Sequence, residues 1–428
     1  MKDTFGDWEY LTLGDIAIAD SGYTFKSADF LPEELTKKGL PVVRMSDLKN
    51  GMVRIEGAAR VCTQAVQKAE KFALSPNDFL FGMSGSLGNF AVVRESDLPA
   101  FLNQRVGRLR ARDGYCQRFI SYLYLSDACQ AAIREMATGA AQLNISIGDV
   151  RALVVKVPSL QEQQKISSIL TAVDEKLDVV ARQIEATQTL KQGLMQSLFS
   201  RGAGTQDGNG CWVPYTEFKD SELGAIPTLW SVKEIGEALS VVERPIKMAD
   251  DQLYRRVTVR RRHGGVDLRD ELPGAGIKVK NQFLLETGDF LISERQIVHG
   301  ACGIVPEHLA GALVSNEYLV LQAREGFDVT YFNYLVQLLK YAKLFLVCSQ
   351  GVDIEKFLFK PKDWLKKRIP VPPLAEQQRI AEILATIEEK TNALQSKQSE
   401  YQALKRGLMQ KLLTGEWRVK IDTPTSAA

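Results

Sequence analysis

Apolar side chains recur at helical spacing in two long segments, and this pattern predicts two long amphipathic helices. In the first segment the apolar positions alternate between steps of four and three residues, at Ile166, Leu170, Val173, Leu177, Val180 and Ile184. The second segment keeps this spacing at Ile380, Leu384, Ile387 and Leu394, with polar Thr391 and Gln398 between and after them. A seven-residue apolar repeat is typical of a coiled-coil seam. Beyond the seams, the apolar stripes are expected to continue to the helix ends at Leu190, Leu194 and Leu198 in the first helix and at Leu404, Leu408 and Leu412 in the second.

The two predicted helices are copies of one another. The first begins VPSLQEQQKI at Val157 and closes LKQGLMQSLFSR, and the second begins VPPLAEQQRI at Val371 and closes LKRGLMQKLLTG. Ser159, with Glu162 three residues later, is a capping-box start, and Gly202 and Gly204 are expected to end the first helix. The chain therefore consists of two units in tandem.

The segments that precede the helices alternate short apolar runs with turn residues, which predicts strands mixed with short helices. They share sparse anchors, such as Asp78-Phe79-Leu80 with Asp289-Phe290-Leu291 and Tyr122-Leu123 with Tyr334-Leu335. The fold class is therefore α+β, with two mixed domains that share a scaffold and differ in their loops, as binding modules with different targets would. The predicted boundaries are domain one at 1–156, helix one at 157–203, a linker at 204–220, domain two at 221–370, helix two at 371–415 and a tail at 416–428.

Each helix of about 40 residues would be roughly 55–60 Å long and needs a partner for its apolar seam. We expect the helices to pack as an antiparallel coiled coil that relates the two domains by a pseudo-two-fold axis. Parallel packing would require the second domain to fold back along the whole length of the helices.

Composition adds little to this picture. Lys and Arg (54) nearly balance Asp and Glu (52), so a nucleic-acid surface would have to be local. The six cysteines are scattered without a CxxC pair, which indicates free thiols in a reducing cytoplasm. The chain has only three histidines, which argues against a histidine-based metal centre. No secretory signal or membrane-spanning segment is expected.

The duplicated VPxLxEQQ(K/R)I and LKxGLMQ motifs, each after a domain with a Trp-x5-Gly start, resemble the DNA-specificity subunit of type I restriction-modification systems. The resemblance implies that each domain reads one half of a split, asymmetric site on double-stranded DNA. The paired helices would set the gap and hold two methyltransferase subunits, and restriction subunits would complete the complex. It further implies a cytoplasmic subunit that is not catalytic by itself. S-adenosylmethionine, ATP and Mg²⁺ would then belong to the partner subunits.

Basic and polar side chains in the domains are the candidates for DNA contact, because Arg and Lys bind phosphates and guanine edges. The densest cluster runs from Arg255 to His263. The candidates are Arg44, Ser46, Lys49, Ser84, Ser86, Asn89, Arg108, Arg110, Arg255, Arg256, Arg260, Arg262, His263, Arg295 and His299. The candidates for methyltransferase contact are Gln163, Gln164, Gln377 and Gln378.

Other interpretations remain at this point. The basic runs could be solvated strand faces, and the glycine-serine loop of residues 82–88 could be a plain hairpin. The chain as a whole could be a coiled-coil assembly scaffold whose domains bind proteins. A self-contained DNA enzyme is the third alternative, but no Asn-Pro-Pro-Tyr-like tetrapeptide or glycine fingerprint for a methyl donor is present.

Overall fold

The computed structural model describes residues 8–32, 39–49, 51–85, 87–137, 144–351 and 357–421. The chain divides into two compact units. Unit 1 comprises Met1–Ala181 with Ser396–Ala428, and unit 2 comprises Arg182–Gln395. Each unit therefore contains one domain and a part of both long helices.

The helices and strands are numbered along the chain. The helices are α1 (Leu13–Ile16), α2 (Thr63–Gln67), α3 (Gln117–Leu125), α4 (Asp127–Ala137), α5 (Ile147–Ala152), α6 (Leu160–Arg201), α7 (Ile235–Ala238), α8 (Val329–Leu335), α9 (Leu339–Val347), α10 (Pro361–Trp364) and α11 (Leu374–Leu412). The strands are β1 (Glu9–Thr12), β2 (Ala17–Ser21), β3 (Leu40–Val43), β4 (Leu48–Lys49), β5 (Met52–Val53), β6 (Ala59–Val61), β7 (Phe79–Gly82), β8 (Phe90–Val92), β9 (Phe101–Leu102), β10 (Val106–Ala111), β11 (Val154–Val157), β12 (Thr205–Gln206), β13 (Trp212–Val213), β14 (Phe218–Lys219), β15 (Ile226–Pro227), β16 (Ser231–Glu234), β17 (Leu239–Val241), β18 (Pro245–Ile246), β19 (Leu253–Val259), β20 (Val266–Pro273), β21 (Gln282–Leu284), β22 (Phe290–Ser293), β23 (Cys302–Ile304), β24 (Leu313–Ser315), β25 (Tyr318–Ala323), β26 (Ser349–Gln350), β27 (Leu358–Phe359) and β28 (Arg368–Val371).

Unit 1 is built around a four-stranded sheet in the order β2-β10-β7-β8. Its apolar face packs with α3 and α4 and with the start of α6, through Phe79, Phe81, Phe119 and Ile166. A smaller sheet, β6-β3-β9, carries a second core of its own. Strands β1 and β11 pair antiparallel, so the beginning of the domain lies beside the strand that leads into α6.

Unit 2 repeats the four-stranded sheet in the corresponding order, β17-β25-β22-β23. Its main core holds Trp230, Phe290, Phe332, Trp364 and Ile380. The rest of the domain differs from unit 1, because a five-stranded sheet, β18-β21-β24-β19-β20, stands beside the shared one. The predicted α+β class and the duplicated scaffold with divergent additions are confirmed.

The two long helices pack against each other with opposite directions. Within unit 1, Lys405 Nζ lies 2.7 Å from Asp174 Oδ1. Within unit 2, Lys191 Nζ lies 3.1 Å from Glu388 Oε1. Going forward along α6 therefore means going backward along α11, and the predicted antiparallel direction is confirmed.

The predicted seam is buried most completely near the beginning of each helix. Ile166, Leu170, Val173, Val180, Ile380 and Leu384 are buried, whereas Leu177, Ile184, Ile387 and Leu394 are half-buried. In the predicted extension of the stripe, Leu198 and Leu412 are buried and Leu194 and Leu408 are half-buried, whereas Leu190 and Leu404 are 51% and 48% exposed. A strict seven-residue repeat drifts around a helix of 3.6 residues per turn. In α6 the buried face accordingly moves to Met195, Leu198 and Phe199, which join the domain core.

Two segments outside the predicted domains and helices are ordered. The predicted linker at 204–220 contains the β12–β13 hairpin and β14, which pairs with β15. In the predicted tail, Val419 is buried in the core of unit 1, and the Arg418 guanidinium donates to the two Glu162 carboxylate oxygens at 2.7 and 2.9 Å. Residues 422–428 lie outside the described residues.

A buried glutamate near the beginning of each long helix joins that helix to the domain before it. Glu162 accepts a hydrogen bond from Trp8 Nε1 at 3.3 Å, and Glu376 accepts one from Trp230 Nε1 at 2.8 Å. Glu162 also has its backbone N–H 3.4 Å from Ser159 Oγ, which is the predicted cap. Gly202 ends α6 with a φ of 80°, and a Cβ there would lie 2.4 Å from Glu376 Oε1, so this turn requires glycine.

All six cysteines are free thiols. Among the described residues, no helix combines the length and the apolar character that a membrane span requires.

Candidate nucleic-acid interface

In unit 1, two loops that the sequence singled out lie against each other. The turn after β3 carries Arg44 and Ser46, and the loop after β7 carries Ser84 and Asn89. Ser84 Oγ lies 3.5 Å from Met45 Sδ, and Asn89 Nδ2 donates to the carbonyl of Met45 at 3.5 Å. The structure therefore brings four predicted contact residues together, whereas Ser86 lies outside the described residues.

The turn after β3 is held by a buried carboxylate that leaves the basic side chains outside. Asp47 accepts hydrogen bonds from the Arg44 N–H at 2.8 Å and from Ser46 Oγ at 3.2 Å. Burial raises the pKa of the Asp47 carboxyl, although these hydrogen bonds oppose the shift. Arg44 and Lys49 are exposed, and the Arg44 guanidinium stands 4.6 Å from the centre of the Phe30 ring.

Arg105 belongs to the same surface, although the sequence analysis did not select it. It directly precedes β10, and its carbonyl accepts a hydrogen bond from the Met83 N–H at 3.2 Å, next to the loop after β7. Its side chain is exposed. Arg105 stands just outside a strand whose residues 106–109 are buried, and this burial shows that Arg105 points outwards.

Arg108 is buried inside unit 1, so its predicted DNA contact is corrected, whereas Arg110 is half-buried and its contact with DNA stays a prediction. Arg108 is 2% exposed and makes two hydrogen bonds to Asp20, at 2.6 and 2.9 Å. Arg110 is held by buried Asp78, with its Nη2 at 2.8 Å from Oδ2. The sequence showed the alternation of these arginines, but not the acidic partners, which are 88 and 32 residues away.

In unit 2, the β19–β20 hairpin carries the densest basic cluster. Its turn places Arg262 and His263 in the left-handed region, with φ of 59° and 55°. The Arg262 N–H donates to the His299 carbonyl at 2.7 Å, and the His263 N–H donates to the Gly300 carbonyl at 2.8 Å. Two backbone hydrogen bonds thus fix the hairpin tip against the turn after β22.

The hairpin tip and the turn after β22 form one exposed basic surface. Arg260, Arg261 and Arg262 are exposed at the tip, and Arg295 is exposed on the turn. Arg260 is paired with Asp267, Arg261 Nε donates to Gln296 Oε1 at 2.8 Å, and Arg295 Nε lies 2.8 Å from Glu317 Oε1. These acceptors lie at the surface and leave the guanidinium groups within reach of solvent.

Arg255 and Arg256, in the first part of this cluster, are both held by neighbouring groups of unit 2. The Arg255 guanidinium donates to the carbonyls of His308 and Ala310 at 2.8 and 2.7 Å. Arg256 binds Asp270 through two hydrogen bonds, at 2.8 and 2.7 Å. Both are half-buried on the hairpin and stabilise its pairing and its packing, and their contact with DNA stays a prediction.

The two predicted histidines, His263 and His299, are half-buried next to the basic tip. Both line a cleft of about 330 Å³ with Ile297 and Phe345. His263 Nδ1 lies 3.5 Å from Cys302 Sγ. Burial, followed by the nearby charge of Lys191, lowers the pKa of His263 below its ordinary value of 6.5. The half-buried imidazole supports the turn, and direct DNA contact by His263 stays a prediction.

The four glutamines predicted to contact a partner divide into two pairs. Gln163 and Gln377 are 1% and 0% exposed, so partner contact is corrected for them. Gln163 accepts from the Cys116 N–H at 2.9 Å, and Gln377 accepts from the Asp328 N–H at 2.8 Å. Each fastens its helix to its own domain. Gln164 and Gln378 are exposed, and their contact with a partner stays a prediction.

A polar cluster that the sequence analysis missed occurs once in each unit. Tyr122 donates to Asp174 at 2.7 Å, and Tyr334 donates to Glu388 at 2.7 Å. Lys405 stands 5.5 Å from the centre of the Tyr122 ring, and Lys191 stands 5.6 Å from that of Tyr334. The available signal was the coincidence of tyrosine, acid and lysine at matching positions of both repeats.

Comparisons with known proteins place these features in context. The family model described as Type I restriction modification DNA specificity domain matches residues 6–188 and 229–403. The chain is 26% identical to a putative type I restriction enzyme MjaX specificity subunit of Methanocaldococcus jannaschii, over 97% of this chain and 94% of the relative. It is 25% identical to the MjaVIII specificity subunit of the same organism, over 62% of each chain.

Solved structures show a similar fold. The S subunit of a type I restriction-modification system from M. genitalium has a TM-score of 0.58 at 17% identity, covering 96% of this chain and 97% of that one. A chain from a study of complex assembly in the type I R-M system has a TM-score of 0.52 at 17% identity, covering 97% of this chain and 100% of that one. At this identity the likeness concerns the fold alone.

Proposed function

Because the chain belongs to the family of type I restriction-modification DNA specificity domains, we propose that it reads a bipartite, asymmetric site on double-stranded DNA. Each domain reads one half-site. The chain is the recognition subunit and carries no catalysis of its own, and it directs two methyltransferase subunits and the restriction subunits to the site. S-adenosylmethionine, ATP and Mg²⁺ are supplied through those partners.

The observation that carries this proposal is the division of each domain into a shared sheet and a different basic surface. Both units have the same four-stranded order, yet their exposed cations stand on unrelated loops. In unit 1 the surface consists of Arg44, Lys49 and Arg105 with Ser46, Ser84 and Asn89. In unit 2 it consists of Arg260, Arg261, Arg262 and Arg295. Different side chains on one scaffold suit two half-sites of different sequence.

The repeated helix starts support the proposal of two methyltransferase partners. Gln164 and Gln378 occupy the same position of the two copies and are both exposed, beside buried glutamines that fix the helix. A pair of matching surfaces on one chain suits two copies of one partner. We propose that each surface holds one methyltransferase subunit.

The test uses the full-length chain co-expressed with its methyltransferase partner. The complex is expected to protect a split DNA site in footprinting, whereas neither protein alone does so. The Arg261→Ala/Arg262→Ala variant should weaken protection, and the slope of its salt dependence should fall by roughly one unit for each phosphate that these side chains neutralise. Binding of protein partners without any DNA sequence preference would instead favour the assembly scaffold.

A further inference from the structure

An apolar groove of about 720 Å³ lies in unit 1 between α4, β11 and the last turns of α11. Each of the three elements contributes apolar side chains to it, among them Ala132 on α4, Val154 on β11 and Met409 on α11. Val154 is 66% exposed and Met409 is half-buried. The groove therefore presents apolar surface that a further apolar side chain could cover with a gain in stability.

Unit 2 contains the counterpart of this groove, and there another part of the chain lies on it. The correspondence of the two units is set by Tyr122 with Tyr334, by the first residues of α4 and α9, and by β11 with β28. Five groove residues and their counterparts in unit 2 follow from it, namely Ala128, Cys129, Ala132, Leu153 and Val154 with Lys340, Tyr341, Leu344, Lys367 and Arg368. In unit 2 all five counterparts line one small cleft together with Glu222 and Leu223.

The segment that carries Glu222 and Leu223 is held on unit 2 by polar and apolar contacts. Lys340 Nζ donates to the Leu223 carbonyl at 2.6 Å, and Arg368 Nη1 lies 2.8 Å from Glu222 Oε1. The Leu223 side chain is half-buried. The N–H groups of Ser221 and Gly224 each donate to the carbonyl of the other residue, at 3.1 and 2.9 Å, and close the turn. In unit 2 this surface is thus covered by the residues that precede Trp230.

The residues that precede Trp8 repeat those that precede Trp230. The two tryptophans are counterparts, because each donates its indole N–H to the buried glutamate of the long helix that follows its domain. The sequence before Trp8 is Lys2-Asp3-Thr4-Phe5-Gly6, and the sequence before Trp230 contains Lys219-Asp220-Ser221-Glu222-Leu223-Gly224. Both have Lys-Asp, a hydroxyl residue and an apolar residue directly before glycine. Phe5 therefore corresponds to Leu223, although residues 1–7 lie outside the described residues.

Trp8 brings this segment within reach of the groove. The Trp8 ring lies 3.4 Å from the position that a Cβ on Gly415 would take, and the preceding Leu413 and Thr414 line the groove. Three residues span up to about 10 Å at ~3.3–3.6 Å each. Phe5 can therefore reach this end of the groove from Trp8.

The charges of the segment and of the groove are also complementary. Lys156 and Arg406 line the groove, and both are exposed. The segment contributes Asp3 and Asp7. Attraction between exposed charges is weak, but it favours this segment over a basic one.

We propose that residues 2–6 occupy the groove of unit 1, with Phe5 in the place that Leu223 takes in unit 2. The occupant is a segment of this chain, and it attaches domain one to the last turns of α11. The inference concerns a contact within unit 1 and does not depend on the proposed function.

Disulfide trapping in the full-length chain tests the position of the segment while Phe5 is kept. In Thr4→Cys/Ala132→Cys, mild oxidation with copper phenanthroline should join residue 4 to residue 132 or to native Cys129, which lines the same groove. Peptide mass spectrometry identifies the bond. Adding Phe5→Asp should slow its formation about fivefold or more, because the apolar anchor is lost.

Matched variants calibrate the trapping. Glu222→Cys/Leu344→Cys places thiols at the equivalent positions of unit 2, where both residues line one cleft, and should form its disulfide readily. In Thr4→Cys/Gln131→Cys the second thiol stands on an exposed residue of α4 outside the groove and should stay reduced. A bond that forms only between molecules, or equal rates for residues 131 and 132, would overturn the inference.

Hydrogen exchange distinguishes this occupant from a partner protein. In the chain alone, Phe5→Asp should accelerate exchange in residues 127–132 and 154–157. Met136→Asp, which changes an exposed apolar side chain of α4 outside the groove, should leave exchange at 154–157 unchanged. If wild type and Phe5→Asp exchange alike and these residues become protected only when the methyltransferase subunit is added, the partner occupies the groove and the inference fails.

Discussion

At the scale of single residues, arginines in these domains serve two purposes that their spacing does not reveal. Arg108 lies three residues from Arg105 in the chain, but it is buried against Asp20, whereas Arg105 is exposed. A buried guanidinium is stabilised only by the carboxylate and carbonyls around it. An exposed guanidinium keeps its donors for a phosphate or a base. The environment, and not the residue type, decides which arginines can bind DNA.

Replacing Arg108 with alanine is therefore expected to act on folding. It leaves Asp20 without its partner and removes the donor to the Ala73 carbonyl, so we expect a loss of about 3–5 kcal/mol in the free energy of unfolding. Urea denaturation of the full chain measures this loss. Arg105→Ala is the matched control and should stay within about 0.5 kcal/mol of wild type, while it weakens DNA binding. Equal stability of the two variants would contradict the assignment.

The stability of unit 2 is expected to depend on pH through the protonation of His263. Burial and Lys191 lower the pKa of the folded-state imidazole below 6.5, so the unfolded chain takes up the proton more readily. The contribution of His263 to stability is complete above about pH 6.5 and is lost as the pH falls towards the folded-state pKa. His263→Gln should therefore make unfolding of the chain less sensitive to pH between about 7 and 5. A variant with the pH dependence of wild type would show that His263 titrates normally.

At the scale of elements, the long helices are attached to their domains at a few buried polar contacts. The Glu376 carboxylate accepts hydrogen bonds from four donors, at distances of 2.7–3.3 Å. The donors are Trp230 Nε1, Tyr215 Oη and the backbone N–H groups of Ala203 and Gly204. It thereby connects the start of α11 with the segment that follows α6. The same segment was predicted as a linker because it is rich in glycine. Gly202, just before this segment, allows the close approach to the carboxylate, because a Cβ there would lie 2.4 Å from Glu376 Oε1.

Glu376→Ala removes the common acceptor of four donors, some of which stay buried. Since each buried unsatisfied donor costs about 1–3 kcal/mol, we expect a loss of roughly 3–5 kcal/mol in the free energy of unfolding. Hydrogen exchange should also accelerate in residues 203–215. Chemical denaturation and exchange mass spectrometry follow the two effects. Glu376→Gln keeps one acceptor oxygen and should lose less, and equal losses for both variants would argue against a shared acceptor.

The elements also show which features a sequence can predict. The long helices, the antiparallel direction and the duplicated scaffold follow from periodicity and repetition, because these patterns are local or are repeated in full. The environments of Arg108, Arg256 and Gln377 depend on partners that the sequence does not reveal. Asp20 is far from Arg108 in the chain, and Asp270 comes near Arg256 only through a strand register that was not predicted. For the same reason, the exposed face that includes Arg105 could not be read from alternation alone.

At the scale of the whole molecule, the two units share the contacts that attach each domain to the long helices and differ in the loops that carry exposed basic side chains. The tyrosine–acid–lysine clusters and the buried glutamates recur in both units. Beside the shared scaffold, unit 2 has a five-stranded sheet and unit 1 has a three-stranded sheet. The two units thus differ in the sheets and loops beside the shared scaffold and agree in the contacts that attach each domain to its helices. This division makes each domain exchangeable in principle.

An exchange of domain two tests that division. Replacing residues 204–370 with those of another member of the family should change one half-site and leave the other, and the gap, as before. An exchange that begins at the predicted boundary, 221, should be the more stable of two versions, because Gly204 and Tyr215 then stay with Glu376, which they bind. Methylation mapping of the recombinant complex identifies both half-sites. The exchange that begins at 204 should yield a less stable chain, since it places Gly204 and Tyr215 of one parent against Glu376 of the other. A change in both half-sites would mean that the domains do not read DNA independently.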